Sequence, residues 1–589
     1  MAGNSRVIYM DTALGKNNAD MVIKGGRLVN VHTSEVYLAD LAIKKDRVVF
    51  IGEVNRLIGS ETIIIDANKK FILPGFIDAH IHIGGTHLTM TRWAEVLLAN
   101  GTTSIATDCY DIGVVAGIKG VRFALDEAKK MGLNILFALP VVAFMQHNPF
   151  GNSNTIKENE LYEMLDWEEA VGINEPPPAW FLEKNEAILK LAEETLKRGK
   201  IIVGHGAGTF GKNLQAYLNM GPASDHECLD ADEAVMKLRL GMEILIREGS
   251  AAVDLEEIVK ALTEQRVSSE HFMFCTDERD PVDFYKLGHI NYTLKKAISN
   301  GLDPVSGIQM ATINPARYYR KDHEVGSITP GKYADIIITS DLVKLDLEYV
   351  ISKGEVVIKN KKYIKSKRKV KYPDYMKCVI NLKKPIEIKD LAIITRNNKK
   401  TIKVRIAHCT DGTLVSEKKK AILEVRNGEI QTDTKNDIAK MVVVERHKAT
   451  GLIGKAFVSG FGLKSGAFAQ TYNPVTDNII ILGTSDKEII DATNKVQAIG
   501  GGFVVVAKGR TIASLSLPIL GIFSDDDISV VQKGFKEILN GIKKLGSDFK
   551  SPILSLAFMA MAYGIPTYKL SELGLVDIDE GKLVDIAIE

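Results

Sequence analysis

Cysteine is scarce in these 589 residues, and the five that occur, Cys109, Cys228, Cys275, Cys378 and Cys409, stand far apart with no Cys-x-x-Cys pair. That spacing excludes a disulfide framework and a zinc ribbon, and the thiols read as buried side chains. Long apolar runs are absent too. No stretch reaches bilayer-spanning length, and Met1-Ala-Gly-Asn-Ser-Arg6 has no apolar core of signal-peptide size, so the expectation is a cytoplasmic protein without a membrane partner. Nor is there a charge of one sign: the formal net charge is +1, which leaves no field to attract nucleic acid or an anionic surface. What the chain does have is 45% hydrophobic and 25% charged residues, the balance of a globular protein too long for one core.

Strand-like segments come first. Between Ala19 and Ile65, short apolar alternations broken by Gly, Asn and Lys-Asp pairs predict half of a small β-sandwich over residues 1–70. The same texture returns in Val325–Ile338 and Tyr349–Ile358, so residues 322–375 are read as its other half. Residues 71–321 alternate strand-like and helix-like stretches, among them Thr102–Asp108, Asn134–Pro140, the helical Asn185–Arg198 and Ile201–His205. That repetition predicts a TIM barrel of βα units, with its active site at the strand C-termini. Lys359 to Lys371 is a basic run, read as a solvated linker. A further α/β domain is expected over 376–589, where Gly500-Gly-Gly lacks the spacing of a nucleotide-binding loop and reads as a turn into a strand.

The most informative stretch is Phe71-Ile-Leu-Pro-Gly-Phe-Ile-Asp-Ala-His80-Ile-His82. In a strand, a His-x-His spacing turns both imidazoles to one face, which is half a metal site. Four more stretches place ligand-type side chains at predicted strand ends: Val171-Gly-Ile-Asn-Glu175, Ile202-Val-Gly-His205, Ser224-Asp-His226-Glu227 and Phe272-Met-Phe-Cys-Thr-Asp277. Pro176-Pro-Pro bars helix after Glu175 and predicts an extended turn there.

The Pro-Gly-Phe-Ile-Asp-Ala-His-Ile-His stretch resembles the first-strand signature of the amidohydrolase superfamily. Over nearly the whole chain the sequence resembles the adenine deaminase family within it. The matching pieces are Asn100-Gly-Thr-Thr, Gly204-His-Gly-Ala-Gly with Asn213-Leu-Gln-Ala-Tyr, Ser224-Asp-His-Glu, Ile246-Arg-Glu-Gly-Ser-Ala-Ala, Phe274-Cys-Thr-Asp with Leu287-Gly-His-Ile, Asn478-Ile-Ile-Ile-Leu-Gly-Thr, Gly500-Gly-Gly and Leu517-Pro-Ile-Leu-Gly. The resemblance implies an α/β fold: a distorted TIM (β/α)8 barrel, a composite β-sandwich from both flanks and a C-terminal α/β domain. It implies two divalent metal ions, ligated by His80, His82, Glu175, His205, His226 and Asp277. Nitrogen and carboxylate ligands without thiolate suit manganese, iron or zinc alike. Glu175 would bridge the ions, since a carboxylate offers two oxygens, and Asp277 would take the proton of the attacking water.

The implied reaction is hydrolytic deamination of adenine or a related aminopurine, a small heterocyclic substrate, by a homodimer or larger homo-oligomer. Two alternatives stay open: hydrolytic opening of a cyclic amide or ureide ring, and a non-catalytic metal-binding role. They are kept because the chain departs from the family pattern at three places. Gly84 stands where the pattern has a glutamate after His-x-His-Ile; Asp108-Cys-Tyr-Asp111 replaces Asp-Pro-His-Glu; and Pro474-Val-Thr-Asp-Asn478 replaces His-Asp-Ser-His-Asn. Gly84, Asp108, Asp111, Glu227 and Glu278 are therefore the candidate substrate-side residues.

Overall fold

The computed structural model describes residues 6–141, 156–250, 252–377, 379–396, 399–411, 413, 415–474, 476–562 and 567–588. Cys378 and Val475 lie outside them; the other four cysteines are buried and unpaired. No helix among the described residues is long and apolar enough to cross a membrane.

The two β-rich flanks enter one nine-stranded sheet. Its joint is Phe71–Pro74, which runs parallel to Met21–Asn30 on one edge and antiparallel to Ile336–Thr339 on the other. Met21–Asn30 is a single strand with a bulge between Ile23 and Gly26. The sheet curls so that Ile23, Leu28, Leu41 and Ile43 from the first flank share a core with Ile336, Ile338 and Ile351 from the second.

Past Gly75 the chain passes directly into the barrel. Its strands are β1 Phe76–Asp78, β2 Thr102–Thr107, β3 Asn134–Pro140, β4 Ala170–Asn174, β5 Ile201–Ile202, β6 Ser224–Asp225, β7 Glu243–Arg247 and β8 Phe272–Cys275. β1 to β5 form one parallel sheet and β6 to β8 another. Parallel bridges close the ring at Ile202–Pro222 and Ile81–Asp277. Most of these strand residues are buried on both faces, as expected where helices cover a parallel sheet. Gly204 is required by space: a Cβ there would lie 2.0 Å from the Ser224 carbonyl oxygen, so only glycine lets the end of β5 approach β6.

The C-terminal region carries a ten-stranded sheet. Alternation along Ile479–Gly483 sorts its two faces: Ile479 and Ile481 pack with Ile489, Ala492 and Val496 of helix Asp486–Ala498, whereas Ile480 and Leu482 face the other way. On that second face lies the amphipathic helix Ile528–Lys544, buried through Val531, Phe535, Ile538 and Ile542. The same apolar cluster runs on into the barrel through Ile83, Leu88 and Met90. Gly500, Gly501 and Gly502 have φ of 79°, 106° and 116°, a left-handed turn into strand Gly502–Ala507.

The basic run is less free than its charge implies. Arg368 Nε lies 3.1 Å from Glu127 Oε2 on helix Tyr110–Lys130, and Lys367 pairs with Asp527 of the C-terminal region. Long cationic side chains have found carboxylates on both bodies, so the run straps them together.

Candidate active site

β1 continues through Ala79 to His80 and His82, and Asp78 anchors that end. Asp78 accepts from the His80 backbone N–H at 3.0 Å and from Thr276 Oγ1 at 2.6 Å, and it lies 2.9 Å from His289 Nε2. Strand ends bring the other side chains to the same mouth. Glu175 follows β4 and Asp277 follows β8, both in the left-handed region, at φ 51° and 57°. Glu175 itself is left-handed; the extended backbone expected from the prolines is present at Pro177, and a short helix, Pro178–Leu182, starts at the third proline, where its missing N–H costs nothing. Non-glycine residues held in the left-handed region carry backbone strain, which turns each carboxylate inward instead of along its strand.

All six side chains expected as ligands meet here. His80 Nε2 lies 2.8 Å from Glu175 Oε1 and 3.5 Å from Asp277 Oδ1. His82 Nε2 lies 3.6 Å from Glu175 Oε2 and 3.6 Å from Asp277 Oδ1. His226 Nε2 is 3.0 Å from Glu175 Oε1, and its ring stacks on His80 with centroids 4.2 Å apart. His205 stands at the rim, more exposed, its ring 5.4 Å from that of His226. The two oxygens of Glu175 thus face different imidazoles.

The donor set fits a divalent cation. His80, Glu175 and His226 form one group of converging ligand atoms, and His80, His82 and Asp277 another. His80 Nε2 is close to carboxylate oxygen but in no hydrogen-bond alignment, and His205 Nδ1 and His226 Nδ1 have no partner among the described residues. Buried nitrogens without partners, crowded by carboxylates, match what a cation would order.

The electrostatics agree. Burial alone would raise the pKa of Glu175, but the charges of His80 and His82 hold it well below the carboxylate range. Burial likewise opposes ionisation of Asp277, and His80 and Arg247 overcome it. Burial opposes charging of His226, yet hydrogen bonds to Glu175 and Glu227 push it up to about 10. The His226 proton occupies a place that a cation would take, so ion binding there would release it.

The substrate-side candidates divide. Asp108 orients His82: its Oδ1 lies 3.1 Å from His82 Nδ1 and its Oδ2 accepts from Asn174 Nδ2 at 3.0 Å, which directs His82 Nε2 toward Glu175. Glu227 sits 3.3 Å from His226 Nε2 and 2.6 Å from Arg247 Nη1. Glu278 accepts from the Tyr472 hydroxyl at 3.2 Å, so the C-terminal region reaches the barrel mouth. Asp111 and Gly84 touch each other, as described below.

Arg247, Asn174 and Tyr472 carry parts that the sequence reading left unassigned. Arg247 Nη1 bridges Glu227 and, at 3.2 Å, Asp277 Oδ2, which turns Asp277 Oδ1 toward the imidazoles. In the sequence it closes an apolar strand, Ile244–Arg247, and opens the family-like Arg-Glu-Gly-Ser-Ala-Ala piece, but nothing local names its partners.

Beneath His205, Lys237 is fully buried between Asp225 at 2.7 Å and Glu233 at 2.6 Å, while Asp225 Oδ1 accepts from the Gly206 N–H at 2.6 Å. Removing the cation from such a cluster strands a buried charge. Lys237→Met is expected to lower unfolding free energy by about 3–5 kcal/mol and to loosen the His205 turn; urea denaturation with metal analysis on the same samples checks both.

Two family models match the chain: one described as the amidohydrolase family over residues 71–357, and one described as the adenine deaminase C-terminal domain over residues 413–582. The adenine deaminase of Moorella thermoacetica is 34% identical over 579 residues, 98% of this chain and 96% of its own. That of Thermosipho melanesiensis is 35% identical, with 98% of each chain covered. That of Methanococcoides burtonii is 33% identical over 97% of this chain and 96% of its own. With end-to-end identity at this level and a mouth of converging imidazoles and carboxylates, the chain belongs to the adenine deaminase family of amidohydrolases.

Proposed function

We propose that this protein hydrolyses adenine, or a closely related aminopurine, to the oxo-purine and ammonia, using two divalent ions held by His80, His82, Glu175, His205, His226 and Asp277. The observation that carries the reading is the meeting of His80, His82 and His226 at the two oxygens of Glu175, with Asp277 against His80 and His82 and with His205 beside His226. The set contains no thiolate and suits manganese, iron(II) or zinc. When bound, such ions lower the pKa of water toward neutrality and polarise the substrate.

The chain's own groups do the rest. Asp277 accepts the proton of the attacking water and passes it to the departing amino nitrogen. Arg247 holds the other oxygen of Asp277, which prevents the carboxylate from swinging away between those steps. Asp108 fixes the tautomer of His82. Gly85, Glu278 and Arg279 on the barrel and Tyr472, Phe535 and Lys550 on the C-terminal region line a small cleft beside the mouth. His87 helps to dock the two bodies: its ring lies against Tyr472, Phe503 and Phe535, and burial pushes its pKa down to about 3, so it stays neutral.

Dialysis against a chelator is expected to abolish ammonia release from adenine and to lower the thermal midpoint, because the clustered carboxylates lose their counter-charge. Adding manganese, iron(II) and zinc in turn, with adenine absorbance and ammonia both followed, tests this. Metal-loaded protein that leaves adenine unchanged overturns the reading.

A further inference from the structure

Asp111 is fully buried in the first turn of helix Tyr110–Lys130, and neither of its carboxyl oxygens has a hydrogen-bond partner among the described residues. A buried polar group left unpaired costs about 1–3 kcal/mol, so a side chain kept in this state calls for a partner from outside the fold. Its position is made possible by Gly84. A Cβ on Gly84 would lie 2.5 Å from each Asp111 oxygen and 2.6 Å from Cγ, with no positive φ to require glycine for the backbone. Any larger residue at 84 evicts the carboxyl. Around it stand His82 and Asp108 on the barrel side, Glu278 beside Tyr472, and Asp477 from the C-terminal region. Burial first, and the neighbouring Asp477 second, push the Asp111 pKa well above the usual range. A carboxyl in its neutral form presents one O–H donor beside one carbonyl acceptor. That pair complements a heterocycle edge on which an unprotonated ring nitrogen adjoins an N–H.

We propose that Asp111, seated in the space that Gly84 leaves open, pairs with the ring edge of the aminopurine and delivers its proton to the ring nitrogen beside the amino-bearing carbon. This rests on the deaminase reading and names the acid that reading requires. As the water oxygen bonds to that carbon, one water proton passes to Asp277 and the Asp111 proton passes to the ring nitrogen, giving a neutral tetrahedral adduct. The proton on Asp277 then moves to the amino nitrogen, and the C–N bond breaks with its electron pair leaving on ammonia. The hydroxyl proton of the adduct returns to Asp111, and the oxo-purine remains.

The test compares Asp111→Ala, Asp111→Asn, Gly84→Ala and the Gly84→Ala/Asp111→Ala pair with the parent, all metal-loaded and matched for metal content and circular dichroism. Asp111→Ala and Gly84→Ala are each expected to lower kcat/KM for adenine by about 100-fold or more. The double variant should be no worse than the poorer single, because both remove one contact. Asp111→Asn keeps a donor and an acceptor but no transferable proton, so it should keep the calorimetric adenine Kd within about tenfold while kcat collapses. Asp111→Ala within about threefold of the parent in both readouts, or single effects that multiply in the double, overturns the proposal. If Gly84→Ala fails to fold, the kcat-against-Kd split of Asp111→Asn decides. Should the parent bind adenine yet release no ammonia, the reaction reading fails, and the calorimetric comparison still decides whether Asp111 holds the ring.

Discussion

Asp277→Asn is expected to lose about 10⁴-fold in kcat with adenine, the largest effect of any conservative change in this chain. Asparagine has the shape of aspartate and keeps one carbonyl oxygen, so the strained turn at φ 57° and the backbone bonds that tie residue 277 to His80 and His82 survive. What disappears is the base. The Arg247 guanidinium, 3.2 Å from Oδ2, would then face an amide whose charge no longer answers its own. Stopped-flow ammonia release measures the loss, and metal content assayed on the same protein separates it from ligand loss. A variant that keeps both its ions and more than about a tenth of the parent's kcat would remove Asp277 from the proton path.

The second large effect concerns stability. Arg446→Met is expected to lower unfolding free energy of the C-terminal region by about 3–5 kcal/mol, or roughly 6–20 °C in thermal midpoint for a body of some 200 residues. Arg446 is fully buried; its Nε donates to the Asp477 carbonyl, Nη2 to the Leu520 carbonyl at 3.1 Å and Nη1 to the Val379 carbonyl at 3.4 Å. One side chain thus ties three segments together. Methionine fills much of the volume but leaves three buried carbonyls without that donor, and the Asp477 carboxyl loses a cation that acts against a pKa already pushed up to about 7 by burial. Because the Asp477 charge bears on Asp111, the KM for adenine should rise as the midpoint falls. Calorimetric melting and steady-state kinetics on one preparation check the two together.

Much of this was legible in residue order. The βα alternation and the texture of the flanks prefigure the barrel and its sheet, because buried parallel strands and half-buried antiparallel ones leave different local patterns. The imidazole pair of β1 could be placed on one face by period alone. Glu175, His205, His226 and Asp277 could be put at strand ends, but their convergence came from family resemblance, since closure of a ring is not a local property. The partners of Arg247 were hidden for the same reason, lying 20 and 30 positions away. Tyr472 meets Glu278 across 194 positions, beyond the reach of any periodicity. The basic run is exposed, as its charge density implies, but charge density tells how a segment meets water, not that Glu127 and Asp527 pass beside it.

The placing of Phe71–Pro74 has a further consequence for how the molecule is made. Its neighbours in the sheet come from residue 27 on one side and residue 339 on the other. A growing polypeptide emerging from the ribosome therefore waits for the whole barrel before that strand gains its second neighbour, and until then its open edge is a sticky template. Synthesis order makes the barrel's completion the event that seals the first-made part of the chain.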